Sequence, residues 1–111
     1  STSRGLGDVY KRQLTVYTEK DYAGESKGDF TPNTYYKSLG AFDNAIKSFK
    51  LKRGYMVTFA TSSDGTGYSR CFIAQDEDLE VSELPNLLKN KVSFIRVLPW
   101  QNISKKKILT I

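Results

Sequence analysis

An aromatic, four spacers, a second aromatic, one spacer and a glycine run through Tyr17-Thr18-Glu19-Lys20-Asp21-Tyr22-Ala23-Gly24, and this spacing leaves the segment few ways to fold. A strand that ends in this pattern turns back on itself, with the Tyr17 and Tyr22 rings stacked over the turn. Gly24 supplies the positive φ that a β-carbon would forbid. Further along, Asp43-Asn44-Ala45-Ile46-Lys47-Ser48 brings a hydroxyl, that of Ser48, which can pin the hairpin from a distance.

This signature resembles that of the βγ-crystallin Greek key. In that family the glycine closes the hairpin and a serine at the place of Ser48 hydrogen-bonds back to it. The resemblance extends from about Leu14 to Trp100, because the pattern recurs. Tyr55-Met56-Val57-Thr58-Phe59 alternates as a strand, Asp64-Gly65-Thr66-Gly67 reads as a hairpin turn, and Lys89 to Val97 answers Asp43 to Leu51. The second copy departs from the pattern: five spacers separate Phe59 from Gly65, the second aromatic is missing, and Phe94 stands where the pinning serine belongs. The resemblance implies an all-β chain, a β-sandwich of two Greek-key motifs, the first over about 14–53 and the second over about 54–100.

The two ends are read apart from this domain. Arg4 to Gln13 resembles a translated sequencing adapter, so residues 1–13 are expected to be non-native; a natural disordered tail is the alternative. Residues 101–111 read as a linker or truncated tail. The net charge of +5 comes from 17 basic and 12 acidic residues. Arg4, Lys11 and Arg12 face only Asp8 in the first segment, and Lys105 to Lys107 add three more cations. Between Leu14 and Ser104 eleven basic groups meet eleven acidic ones. A nucleic-acid partner needs a basic face that releases phosphate counterions, so none is expected for this neutral domain. Lys47, Lys50, Lys52 and Arg53 cluster, but alternation along a strand makes them a solvated face.

Short runs rich in β-branched and aromatic residues, at 14–18, 26–30, 46–53, 55–60, 68–74 and 91–99, are punctuated by Gly, Asp, Asn and Pro and predict strands of a sandwich. Ser82 to Leu88 predicts one short helical turn, limited by Pro85, and Tyr35 to Gly40 occupies the matching place in the first motif. No run approaches the ~20 apolar residues of a membrane span. The single Cys71 has no partner for a disulfide within the chain and is expected to be a buried free thiol.

Enzyme chemistry finds little to work with. The chain has no histidine, which removes the commonest general base and transition-metal ligand and leaves Cys71 without its usual activator. Asp76-Glu77-Asp78 are consecutive and read as a solvated loop rather than a catalytic carboxylate pair. No glycine-rich phosphate loop is present. The chain is expected not to be an enzyme.

Calcium is the cofactor that the resemblance implies. Many microbial βγ-crystallins hold two ions through paired segments of Asn/Asp, Asn/Asp, two spacers, Ser/Thr and Ser, which supply the six to eight oxygens a hard cation takes. Asp43 and Asn44 fit the first two places and Ser48 the sixth, but Lys47 stands at a ligand position. In the second segment Asn90 and Ser93 fit, while Lys89 and Phe94 break the first and last places. At most one weak site, using Ser93, is expected, with Lys89 nearby as an opposing charge. The alternative leaves Asp43, Asn44 and Asn90 as turn residues that bond their own backbone.

Val92 to Trp100 runs straight into a polar stretch, similar to the join between βγ-crystallin-like modules and the catalytic domains of secreted polysaccharide hydrolases. This implies a secreted carbohydrate-binding module, with polysaccharide as partner and a catalytic domain in the same natural chain. Tyr35, Tyr36, Tyr68 and Trp100 are the rings that could stack on sugars, although rings in a small sandwich more often serve the core. A structural or stress-type protein is the alternative.

Overall fold

The computed structural model describes residues 13–100; the adapter-like segment up to Arg12 and the tail from Gln101 lie outside the described residues. Eight strands follow one another: β1 Leu14–Glu19, β2 Ala23–Lys27, β3 Thr34–Tyr36, β4 Ser48–Leu51, β5 Tyr55–Ala60, β6 Ser69–Ala74, β7 Leu79–Val81 and β8 Phe94–Pro99. They form two antiparallel four-stranded sheets, ordered β2-β1-β4-β7 and β3-β8-β5-β6. The orders are the same once β1–β4 are exchanged for β5–β8. Each half is a Greek key that lends its third strand to the opposite sheet.

Alternation explains what faces inward. Val57 and Phe59 of β5 are buried, as are Ile95 and Val97 of β8 and Leu14 and Val16 of β1. The sheets meet at three rings. Phe49 of β4 lies 5.0 Å, centroid to centroid, from both Phe59 and Phe72, in edge-to-face contact, the geometry that aromatic quadrupoles favour. Arg70 covers the outer edge of this cluster, its guanidinium 5.0 Å over the Phe72 ring.

Several sequence expectations need correction. Cys71 is exposed, because pairing of Val57 with Phe72 and of Thr58 with Cys71 turns Phe72 inward and the thiol outward. Tyr35 and Tyr36 belong to β3 rather than to a helical segment, and a 3-10 turn follows at Gly40–Phe42. The helical turn expected from Ser82 comes later: the Leu88 and Lys89 N–H groups both donate to the Pro85 carbonyl, at 2.8 Å. Strand β2 starts at Ala23, ahead of the predicted Ser26, since the hairpin closes as soon as Gly24 allows.

Candidate metal centre

Two hairpins and two reversing asparagines build the sites. In the first hairpin Gly24 sits at φ +77° and a Cβ there would meet the Thr18 hydroxyl oxygen and, at 2.8 Å, Glu19 Cγ. That hydroxyl is fixed, because it accepts the Glu25 N–H at 2.9 Å. Ser48 is fully buried; its Oγ accepts the Tyr22 N–H at 3.1 Å and donates to the Glu19 carbonyl at 2.6 Å. The Tyr17 and Tyr22 rings meet edge to face at 72°, not stacked as the sequence suggested. Lys50 covers Tyr22, its ammonium 4.7 Å from the ring centroid. Burial, then Glu80 and Asp21, raises the Tyr22 hydroxyl above its ordinary pKa.

The second hairpin repeats this plan, but the closing glycine is Gly67 rather than Gly65. Gly67 has φ +75°, a Cβ there would meet Thr61 Oγ1 at 2.5 Å, and Thr61 Oγ1 accepts the Tyr68 N–H at 3.0 Å. The signal the aromatic spacing missed is therefore Thr-x5-Gly, present as Thr18…Gly24 and Thr61…Gly67. In this frame Gly65 stands in place of Tyr22, and Phe94 in place of Ser48. A Cβ on Gly65 would lie 3.4 Å from the Phe94 ring. The ring that the first hairpin carries in its turn is carried by the returning strand in the second.

Asn44 and Asn90 occupy the left-handed region at φ +58° and +62°, which asparagine tolerates better than most residues. Their backbones bond reciprocally: the Asn44 N–H donates to the Val92 carbonyl and the Asn90 N–H to the Ile46 carbonyl, both at 3.0 Å. Beyond them the Lys47 N–H donates to the Tyr17 carbonyl and the Ser93 N–H to the Ala60 carbonyl, both at 2.9 Å. Asp43 thus corresponds to Lys89, and Ser93 to Lys47.

This exchange sorts the expected ligands into two clefts. Asp43, Ser38, Gly40, Ser63 and Ser93 line the first, together with Lys37. Ser93 Oγ donates to Asn44 Oδ1 at 3.3 Å. Among the described residues no cation or hydrogen-bond donor pairs with the Asp43 carboxylate. Lys47, Lys89 and Asn90 line the second cleft, with Lys20, Glu19 and Glu83. Asp43 and Lys47, close in sequence, face different clefts, and so do Ser93 and Lys89. The lysine expected to oppose an ion at Ser93 is therefore not there; it pairs with Glu83. Asn90 belongs with the lysines and not with Asp43, Asn44 and Ser93.

The first cleft offers a carboxylate, an amide oxygen and hydroxyls, which is hard-cation chemistry, with a single carboxylate and the Lys37 ammonium on its lining. Among the described residues no three acidic, cysteine or histidine side chains gather around one point. Nor is any helix there long and apolar enough to cross a membrane.

Comparison with solved structures decides the lineage. A βγ-crystallin domain from Flavobacterium johnsoniae is 30% identical, with a TM-score of 0.66 over 78% of this chain and 94% of that one. The chain belongs to the βγ-crystallin family. The N-terminal domain of protein S is 28% identical over 78% of this chain and 94% of its own, with a TM-score of 0.64. A βγ-crystallin domain from Clostridium beijerinckii, at 17% identity, shares the fold over 78% of this chain and 98% of that one, with a TM-score of 0.65. No family profile and no curated protein sequence matches the chain. Both clefts of this βγ-crystallin carry oxygen donors, but the second sets three lysines among them where the first has one.

Proposed function

We propose that this chain is a non-catalytic βγ-crystallin module that binds one calcium ion in the cleft of Asp43, Asn44 and Ser93. The observation that carries this reading is the Asp43 carboxylate, free of any paired cation among the described residues and set beside the Ser93–Asn44 hydroxyl–amide pair. One carboxylate places the affinity in the weak class, on the order of 10⁻⁴–10⁻³ M. Calorimetric titration is expected to give one ion per chain. At a hundredfold excess over Kd the ion adds about 2.7 kcal/mol to the folded state, which for a domain of this size raises Tm by ~10 °C or more. Asp43→Asn should weaken binding at least tenfold, on the order of 1.4 kcal/mol. A protein whose Tm is the same in calcium and in chelator would reduce Asp43 and Asn44 to turn residues.

A second reading, attachment to polysaccharide, is favoured by Tyr35. Its side chain is 56% exposed, stacked at 23° on Phe94 with Lys37 over its ring. An exposed tyrosine offers an apolar ring with a polar tip, a form suited to contact with a sugar. Tyr36 cannot share the task, because its ring packs against Phe30 and its hydroxyl accepts the Thr31 N–H. On this reading the domain is retained by insoluble β-glucan or mannan and Tyr35→Ala releases it. Equal retention of the variant would remove Tyr35 from the account.

A further inference from the structure

At three corresponding positions the second cleft carries a lysine where the first carries an oxygen donor. Lys47 stands where Ser93 does, Lys89 where Asp43 does, and Lys20 where Ser63 does, two residues past the hairpin threonine. The asparagine at the turn is unchanged in both. Each of the first two lysines carries its own counterion. Lys47 Nζ lies 3.1 Å from Glu19 Oε1, and Lys89 Nζ hydrogen-bonds Glu83 Oε2. That hydrogen bond and the ammonium charge hold the Glu83 carboxyl below the usual carboxylate range.

We propose that the Lys47–Glu19 and Lys89–Glu83 pairs close the second cleft with built-in cations, so that it needs no metal and admits none. The proposal deepens the single-calcium reading above and rests on it for the form of the first cleft. The physical reason is charge: three ammoniums against two carboxylates line the second cleft, whereas one ammonium, that of Lys37, stands against the Asp43 carboxylate in the first. An incoming divalent ion would also have to strip two carboxylates from partners that are tethered and therefore always present. The backbone scaffold is the same on both sides, with asparagine in the left-handed region and matching N–H to carbonyl bonds. Side chains alone therefore distinguish a cleft that takes a free ion from one that brings its own.

Calcium titration of the wild type beside the double variant Lys47→Ser, Lys89→Asp tests this, since the variant gives the second cleft the donor types of the first. One ion for the wild type and two for the variant is the expected result. No ion for the wild type and one for the variant would uphold the lysine pairs while removing the Asp43 reading. One ion for both would overturn the proposal and leave the Asp43 reading standing. Two for the wild type would also overturn it, and none for either would overturn both. Should the variant not fold, by circular dichroism, manganese added to the labelled wild type gives a second measurement. Broadening that is strongest at the Asp43, Asn44 and Ser93 amides is expected, and broadening strongest at the Lys20, Lys89 and Asn90 amides overturns the proposal.

Discussion

Replacing Phe49 by alanine should cost about 3–5 kcal/mol, read as a fall in the denaturation midpoint at unchanged slope. That is a large share of the roughly 4–13 kcal/mol available to a domain of this size. Phe49 is fully buried on β4, and Phe59 and Phe72 approach it from the opposite sheet. Those two rings are held by the β5–β6 and β5–β8 registers, so neither can move far to fill the space that truncation leaves. The cost is the lost transfer free energy plus an unrelaxed cavity. Ile73, 42% exposed, is the matched control: Ile73→Ala should cost under about 1 kcal/mol. A loss at Phe49 below about 1.5 kcal/mol would mean that the sheets close up around the gap.

Gly24→Ala is the second large effect, expected at about 2–3 kcal/mol, whereas Gly54→Ala should cost about 1 kcal/mol. Both glycines have positive φ, +77° and +86°, so both variants pay the strain of a left-handed β-carbon. They differ in space. A Cβ at Gly54 meets nothing within 4 Å, while at Gly24 it runs into the Thr18 hydroxyl and Glu19 Cγ. Moving the hydroxyl aside breaks its bond from the Glu25 N–H. Parallel urea titrations of the two variants therefore separate torsional strain from steric overlap, and equal losses would show that the hairpin yields freely.

The sandwich was legible because its strongest signals are local. Strand β5 follows from the alternation in Tyr55–Ala60, and the first hairpin follows from ring and glycine spacing within one short segment. Strands β3 and β7 were not legible, since each has three residues and is held only by a partner far along the chain, β3 by β8 and β7 by β4. The burial of Cys71 was misjudged because an alternating run does not say which of its faces is inward. Asp43, Asn44, Asn90 and Ser93 were visible as polar turn residues, but their grouping was not. Each asparagine reverses the chain, so sequence neighbours part and residues of opposite halves meet. A second hairpin without an aromatic in its turn was misleading for a similar reason: its ring arrives on Phe94, from a strand well downstream.

The exchange of β3 and β7 between the sheets has a bearing on how the chain can come into being. A half cut away from its counterpart would hold three strands on one side and one orphan meant for the other, with no second layer to cover Phe49 or Phe59. The apolar face left open in this way is one that a second copy of the half could cover, as the two strand orders correspond. Assembly must therefore wait until distant segments find each other, so the interlock that makes the two halves inseparable also places the protein among slow, all-or-none folders.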